Sequence, residues 1–265
     1  MTGAAFANIE VQKLAEHNTA RRDEVLSLLR NRTSASIAEI AKHFTISEMT
    51  VRRDLARLAE TGQVIRIPGG AMMAHGAAIE KTFIDRSARC SEAKDRIGRA
   101  AAALVKDGEA VAMDSGTTTL YIARHLGRHK HVAVFTFSIA VLEALSGASD
   151  VRVVLTGGTY RRSSHDLVGH EVGETLRSIH TGKVFFGAAA LSFNKGAMVY
   201  DPEFQKDLLT AGREKILVVD SSKIGREALY RVCPLASCDL VVTDSGIAPA
   251  DLKRLREVTK VLVAE

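Results

Sequence analysis

The sequence IAEIAKHFTISEMTVRRDLARLAETGQVIRIPGG, from Ile37 to Gly70, carries the strongest local signals of the chain. Directly before it, Ser36 stands three residues ahead of Glu39, as in a capping box. This pair predicts a short helix over Ser36–His43. Helical spacing places the apolar side chains of this helix on one buried face, which consists of Ile37, Ile40 and Ala41.

A second helix follows after a short turn. Phe44-Thr45-Ile46 is long enough only for that turn, and Ser47 caps the next helix through its side-chain oxygen. The apolar residues of the second helix lie at i, i+4 and i+7 and form one stripe: Val51, Leu55 and Leu58. The polar residues lie off that stripe and face outward: Glu48, Thr50, Arg52, Arg53 and Arg57. Such a helix fits the major groove of DNA, where arginine bonds guanine edges or phosphates.

A hairpin completes the pattern. Gly62 ends the second helix, since glycine tolerates the left-handed conformation at a helix end. Gln63–Ile67 then alternates like a strand, and Pro68-Gly69-Gly70 turns the chain back, which places Arg66 to touch phosphate or the minor groove. The order of these elements predicts a winged helix-turn-helix whose DNA contacts are Ser47, Glu48, Thr50, Arg52, Arg53, Arg57 and Arg66. The competing interpretation is an ordinary amphipathic helix with a solvated basic face.

Composition restricts the classes of function. With 265 residues and 46% hydrophobic residues, the chain is long enough for two domains or one large α/β domain. No apolar run approaches the roughly 18 residues of a membrane span, and the N-terminus lacks the basic start of a secretory signal. The net charge of +5 is compatible with a polyanionic partner but is weak support by itself. We expect a cytoplasmic protein that does not contact a membrane.

Cysteine and histidine usage predicts no metal site. The cysteines are few and odd in number, fit no zinc spacing, and suggest buried thiols in a reducing compartment: Cys90, Cys233 and Cys238. The histidines show no H-x-E pattern. The sequence therefore predicts neither a metal nor a cofactor.

The chain divides into four segments. Residues 1–17 are predicted to be an extension, 18–73 the winged helix-turn-helix domain, 74–91 a linker and 92–265 a second domain. A first helix from Asn18-Thr19 to Leu29 completes the core of the DNA-binding domain. Arg21 and Arg22 near its start touch phosphate in one interpretation and are simply solvated in the other.

From Glu92 onward the sequence alternates between helices and apolar strands, as in a parallel sheet that is covered on both faces. The predicted strands are Glu109–Met113, His131–Phe135, Val151–Leu155, Val184–Ala188, Lys215–Val219, Leu240–Thr243 and Lys260–Val263. The predicted helices are Glu92–Val105, Thr117–Leu126, Ser138–Leu145, Val168–Ile179, Pro202–Ala211 and Ala250–Val258. This pattern predicts one α/β domain with a mostly parallel sheet.

Ligands of open α/β sheets bind beyond the carboxyl ends of the strands. The first strand is followed by Asp114-Ser115-Gly116-Thr117-Thr118-Thr119 and then a helix, a pattern that offers free N–H groups to a phosphate. Asp114 is then placed to accept a bond from a sugar hydroxyl. The alternative is plain helix capping by Ser115 or Thr117.

Other polar residues follow neighbouring strands or begin helices beside them. They are Thr136, Gly157, Lys206 and Lys223. Lysine is a compact positive charge that pairs well with phosphate, although single lysines are more often solvated surface residues. Together with Asp114, Ser115, Gly116, Thr117 and Thr118, these residues form the predicted effector site. Ser163-Ser164-His165-Asp166 contains the residue types of a catalytic triad, but we interpret it as a polar loop.

Several motifs resemble a known family. S-E-M-T-V-R-R-D-L-x-x-L-x-x-x-G followed by R-I-P-G-G-A is similar to the N-terminal signature of DeoR-family bacterial transcriptional regulators. V-A-M-D-S-G-T-T-T, T-G-G-T, D-P-E-F-Q-K and D-S-S-K resemble blocks of the family's effector domain, so the likeness covers Thr19 to Val263. The chain departs from the family at Pro68, where histidine is usual, at 187–191 and at 207–210.

The resemblance implies a fold similar to ribose-5-phosphate isomerase and CoA-transferase-like proteins, and a phosphorylated sugar or polyol as effector. It also implies the effector contacts Asp114, Gly116, Thr117, Thr118, Lys206 and Lys223.

We therefore interpret the chain as a repressor of carbohydrate or polyol catabolic genes that binds a double-stranded DNA operator. It is expected to be a homo-oligomer, either a dimer or a tetramer, and not an enzyme. The competing class is a sugar-phosphate isomerase with Asp114 or Glu203 as base and Lys223 stabilising an enediolate. In a third interpretation, the basic helix contacts only a protein.

Overall fold

The computed structural model describes residues 21–29, 34–60, 64–67, 69–73 and 83–265. The chain forms two compact units, Met1–Glu80 and Lys81–Glu265. The predicted N-cap at Asn18-Thr19, the helix end at Gly62 and the turn residue Pro68 lie outside the described residues.

The smaller unit is a helix-turn-helix with a small sheet. Its elements are α1 (21–29), β1 (Ser34–Ser36), α2 (Ile37–Phe44), α3 (Glu48–Glu60), β2 (Val64–Ile67) and β3 (Gly70–Met73). The strands pair antiparallel in the order β1-β3-β2, and β2 with β3 forms the predicted hairpin. The capping box is confirmed, because the Glu39 N–H donates to Ser36 Oγ at 3.1 Å and the Ser36 N–H to Glu39 Oε2 at 2.7 Å. Thr45 takes the left-handed conformation, with φ of 53°, in the turn between α2 and α3.

The core of the smaller unit is the predicted one. The apolar stripe of α3 is buried together with side chains from α1 and α2: Val25, Leu29, Ile40, Val51, Leu55 and Leu58. One charged pair crosses this unit, since the Arg21 guanidinium donates to both Asp54 oxygens at 2.7 and 3.1 Å. Asp54 is only 6% exposed, so Arg21 neutralises a buried carboxylate. The structure thus gives Arg21 a partner within the protein in place of a phosphate contact.

The larger unit contains seven helices in its described part: α4 (Phe83–Ala88), α5 (Ser91–Ala102), α6 (Thr117–Leu126), α7 (Ile139–Leu145), α8 (His170–Ser178), α9 (Gln205–Thr210) and α10 (Pro249–Arg256). Its strands are β4 (Ala110–Met113), β5 (Val132–Thr136), β6 (Val151–Leu155), β7 (Thr159–Arg161), β8 (Asp166–Val168), β9 (Thr181–Gly187), β10 (Ala190–Ser192), β11 (Gly196–Val199), β12 (Gly212–Val218), β13 (Tyr230–Cys233), β14 (Leu240–Asp244) and β15 (Lys260–Ala264).

A seven-stranded sheet organises this unit, with the strand order β15-β14-β12-β9-β4-β5-β6. Every neighbouring pair in it is parallel, which confirms the predicted α/β class. The chain runs outward from β4 through β5 to β6 on one side and from β9 to β15 on the other. The strand order therefore reverses between β4 and β9, where open α/β sheets form their binding crevice.

Each face of the sheet is covered. Phe185 and Phe186 are consecutive residues of β9 that are both completely buried, one in each of the two main apolar clusters. One cluster joins the sheet to α5, α6 and α7, and the other to α8, α9, α10 and the smaller strands. The helices α5 and α6 approach so closely that a Cβ on Gly98 would lie 2.5 Å from the Tyr121 carbonyl carbon.

The structure departs from the predicted elements in three places. The strands β7 and β8 form a hairpin that the sequence analysis lacks, and its turn contains residues 163–165 of the predicted polar loop. The strands β10, β11 and β13 form a separate antiparallel sheet that the sequence analysis lacks. Helix α4 lies within the segment predicted as linker, and its Phe83 is buried with Leu120 and Ala140, so this part of the segment packs on the larger unit.

Candidate functional site

The helix α3 exposes the residues that the sequence assigns to DNA contact. The side chains of Ser47, Glu48, Arg52, Arg53 and Arg57 are exposed, as is that of Arg66 on β2, and Thr50 is half-buried. Ser47 caps the helix, since its Oγ accepts the Thr50 N–H at 3.2 Å. Met49 is 59% exposed in the first turn and was not predicted. It adds an apolar contact beside the basic residues.

The two adjacent arginines of α3 differ in their surroundings. Arg52 Nη2 lies 3.2 Å from Glu48 Oε2, one turn earlier, and both side chains are about half exposed. Arg53 has no ion pair among the described residues. Glu48 therefore orients Arg52, while Arg53 is available to a phosphate or a base edge without breaking a contact within the protein.

In the larger unit, Asp114 lies at the reversal point of the sheet. It follows β4, is 2% exposed, and its Oδ2 accepts the N–H of Gly187 at the end of β9 at 2.7 Å. Its Oδ1 accepts the Gly116 N–H at 2.8 Å and the Thr119 hydroxyl at 2.5 Å. These bonds hold the turn before α6 against β9. The structure gives Asp114 this supporting role, and its contact with a sugar hydroxyl stays a prediction.

The turn leaves the start of α6 available to an anion. Gly116 is the N-cap residue, and no side chain caps the helix, so the alternative of capping by Ser115 or Thr117 is not what the structure shows. Thr117 and Thr118 are buried at 3% and 2% exposure. The first N–H groups of a helix lack partners within it and attract negative charge. This arrangement suits a phosphate or a carboxylate.

Two lysines add positive charge near this turn. The Lys223 ammonium donates to the Ala188 carbonyl at 2.8 Å and lies 3.8 Å from an Asp220 oxygen. Burial lowers the pKa of Lys223, with Asp220 opposing this shift and Arg86 adding to it. Burial also lowers the pKa of Lys94 to about 8, and the Lys223 charge acts in the same direction. Burial is the main cause of both shifts.

The sequence analysis missed Lys94. This residue of α5 is only 2% exposed, and its ammonium donates to the Arg86 carbonyl in the last turn of α4. A signal was present, because Lys94 falls in line with Ile97, Gly98 and Ala101 at i, i+3, i+4 and i+7. A lysine on the buried stripe of an amphipathic helix is unusual and marks a charge held inside the protein.

Within the described ranges, the other predicted effector residues form no hydrogen bond or ion pair with the side chains of this turn. Lys206 is exposed on α9, and Gly157 is exposed with a φ of 83°. Thr136 is completely buried, where its hydroxyl donates to the Met113 carbonyl at 2.9 Å and accepts the Ser138 N–H at 3.0 Å. Thr136 therefore supports the sheet end, and an effector contact of Lys206 stays a prediction.

A buried carboxylate links the turn to the β7–β8 hairpin. Asp166 is 1% exposed and accepts the Ser115 hydroxyl at 2.9 Å. Arg161 binds both Asp166 oxygens, at 3.1 and 3.0 Å, and reaches Asp201 at 2.7 Å. Burial lowers the pKa of Arg161, but the bonds to Asp166 and Asp201 outweigh it and raise the pKa. This network fixes the hairpin beside the start of α6, and the sequence analysis did not foresee it.

No group of three or more potential metal ligands occurs within the described ranges. None of the helices in those ranges is both long and apolar enough to cross a membrane. Cys233 and Cys238 are buried with their sulfur atoms 3.9 Å apart, whereas Cys90 is exposed, unlike the predicted buried thiols.

Two family models match the chain. The model of the DeoR-like helix-turn-helix domain matches residues 9–76, and that of the DeoR C terminal sensor domain matches residues 89–245. The chain belongs to the DeoR family. The family that the sequence motifs suggest is thus confirmed, and so is the DNA-binding domain within it.

Curated members of the DeoR family are similar along nearly their whole length. The lactose phosphotransferase system repressor of Lactococcus lactis is 31% identical over 92% of this chain and 98% of its own. The glycerol-3-phosphate regulon repressor of Escherichia coli K12 is 29% identical over 86% of this chain and 91% of its own. These relatives are transcriptional repressors. Within the family, the present chain is a DNA-binding transcriptional regulator and not an enzyme.

Solved structures resemble the chain only distantly. Ribose 5-phosphate isomerase A of Methanocaldococcus jannaschii is 16% identical, with a TM-score of 0.37 over 51% of this chain and 54% of its own. At this distance the likeness says nothing about ligand or activity, so the isomerase alternative gains no support from it.

Proposed function

We propose that this DeoR-family regulator represses carbohydrate or polyol catabolic genes and that a phosphorylated sugar or polyol controls its operator binding. The observation that carries the proposal is the start of α6, which no side chain caps, at the reversal point of the sheet, with the Lys223 ammonium bound to the Ala188 carbonyl just after β9. The relatives that repress lactose and glycerol-3-phosphate genes support the same class of regulated genes. Since its partner is DNA, we place the protein in the cytoplasm.

We propose that the anion site consists of backbone N–H groups and a lysine charge. The phosphate lies at the N-terminus of α6, where Gly116, Thr117 and Thr118 provide N–H groups and the helix dipole favours negative charge. Lys223 supplies a positive charge. Burial lowers the pKa of its ammonium because the charged form is desolvated, and an anion beside it offsets that cost. The Ser115 hydroxyl is held by Asp166 and fixes the rim of the site.

Control of the operator then follows from linkage. An effector that binds the DNA-competent and the incompetent arrangements with different affinity shifts the population between them. Operator DNA must then change the affinity for the effector by the same factor. A ligand that binds both arrangements equally well has no effect on transcription, however tight its binding.

A titration of operator affinity with phosphorylated compounds tests the proposal. The panel contains inorganic phosphate, glycerol 3-phosphate and several hexose phosphates. We expect one of the organic phosphates to change the operator affinity of the wild type. Lys223→Met removes a charge-assisted contact, so the same change should need about tenfold to hundredfold more of that compound.

The matched control is Lys195→Met, which removes an exposed lysine paired with Glu227 on the surface. It should respond like the wild type. If no phosphorylated compound alters operator binding, the sugar-phosphate effector is wrong. If Lys223→Met and the wild type respond to the same concentrations, the phosphate lies elsewhere.

We further propose that the regulator is a homo-oligomer, either a dimer or a tetramer. Recognition helices bind best as symmetric pairs on half-sites about one helical turn apart. The larger unit is expected to supply the contact between copies, because the DNA-binding unit is small. Sedimentation of residues 92–265 at micromolar concentration should show self-association, and a strictly monomeric fragment would contradict the proposal.

A further inference from the structure

Helix α4 is too short to be stable alone. It has six residues, Phe83–Ala88, whereas isolated helices shorter than about 12–15 residues are marginal in water. It is also the first described element after the DNA-binding unit, which ends at Glu80. Its stability must therefore come from contacts with the larger unit.

Contacts hold α4 at both of its ends. At its start, the Phe83 N–H donates to the Ser163 carbonyl at 3.1 Å, and the Phe83 ring stacks on His165 with centroids 5.6 Å apart. At its end, the Lys94 ammonium donates to the Arg86 carbonyl. Carbonyls in the last turn of a helix have no partner within it, and cations are favourable there. Lys94 thus caps the C-terminus of α4.

The same Lys94 belongs to the charged surroundings of the anion site. Its electrostatic partners include Lys223, Asp220 and Arg86, and Lys223 in turn interacts with Asp114 at the turn before α6. Lys94 has no ion pair among the described residues, although it is almost completely buried. Its ammonium is therefore bound to a neutral carbonyl, which is a weaker acceptor than an anion.

We propose that Lys94 couples the anion site to α4, because a bound phosphate takes the Lys94 ammonium from the Arg86 carbonyl and thereby frays the end of α4. The proposal rests on the anion site put forward above. An uncapped carbonyl and a six-residue helix make local opening easier, while the buried Phe83 still fixes the start of α4. The segment that leads to the DNA-binding unit then senses whether the site is occupied. Lys94 is thus a positioning residue, because its effect passes through the helix end that it holds.

Hydrogen exchange of the full-length protein, followed by mass spectrometry of a peptide covering residues 83–90, tests this coupling without DNA. The probes are inorganic phosphate and glycerol 3-phosphate, each compared with chloride at equal ionic strength. In the wild type, we expect either phosphate to speed exchange in α4 about tenfold or more, since a charge-assisted hydrogen bond is lost. Lys94→Met should exchange as fast without any phosphate and should not respond further.

Lys195→Met is the control and should behave like the wild type in both conditions. Far-UV circular dichroism checks that each variant is folded. Equal α4 exchange in Lys94→Met and the wild type would overturn the coupling. So would fast exchange in Lys94→Met when neither phosphate affects the wild type, because Lys94 would then be only a cap. Failure of the proposed function is separate, since it appears as operator affinity that no phosphorylated sugar alters.

Discussion

Replacing both Arg52 and Arg53 with alanine is expected to weaken operator binding by at least about 1–3 kcal/mol, since an arginine that reads a base edge contributes about 1–3 kcal/mol. Both side chains project from the exposed face of α3, opposite the buried stripe that contains Val51 and Leu55. The variant should fold normally, because neither arginine contributes to the core. Fluorescence anisotropy with labelled operator DNA at several salt concentrations measures the effect.

The single variants distinguish the roles of the two arginines. A base contact relaxes specificity at one base pair, whereas a phosphate contact weakens all sequences alike and makes the salt slope shallower by about 1. Arg226→Ala, an exposed arginine of the larger unit, is the control and should leave operator binding unchanged. Unchanged affinity and salt slope in the double variant, with a native circular dichroism spectrum, would contradict DNA contact by this face.

The smaller unit could be predicted closely because its signals are local. The capping box of Ser36 and Glu39 and the Ser47 cap each involve residues three apart in sequence, so they are readable without knowledge of the fold. The sequence alone did not predict the ion-pair partner of Arg21. It lies 33 residues away on α3, and only the packed helices bring the charges together.

In the larger unit, strand and helix positions followed from apolar runs, but the chemistry at their ends depended on distant contacts. The sequence placed Asp114 in the turn after the strand but could not show its bond to Gly187, which lies 73 residues further on. The short antiparallel strands β10 and β11, of three and four residues, carry too little periodicity to be detected. Lys94 had a readable signal, since it interrupts the buried stripe of α5.

Replacing Lys94 with methionine is expected to stabilise the larger unit by about 1–2 kcal/mol near neutral pH. The pKa of Lys94 falls from 10.5 to about 8 in the folded protein, and each unit corresponds to about 1.4 kcal/mol. This difference amounts to a penalty of about 3 kcal/mol for the charged, buried ammonium, from which the lost charge-assisted bond to the Arg86 carbonyl subtracts about 1.5 kcal/mol. Methionine has a similar length and no charge to desolvate.

The gain should depend on pH with a defined sign. Below about pH 8 Lys94 is charged in both states, so the folded protein bears the full penalty. Between about pH 8 and 10.5 the folded protein loses the proton while the unfolded chain keeps it, and the stability of the wild type rises. Lys94→Met lacks this contribution, so its advantage should shrink across that window and vanish above it.

Urea unfolding followed by far-UV circular dichroism, at about pH 7 and at about pH 10, measures both effects. Lys195→Met, which removes an exposed lysine, should change the free energy of unfolding by less than about 0.5 kcal/mol at either pH. Equal stability of Lys94→Met and the wild type at neutral pH would contradict a buried charge. In Lys94→Met the larger unit should be more stable, because no ammonium is buried. Its helix α4 should nevertheless open faster in the exchange experiment, because the bond from Lys94 to the Arg86 carbonyl is lost.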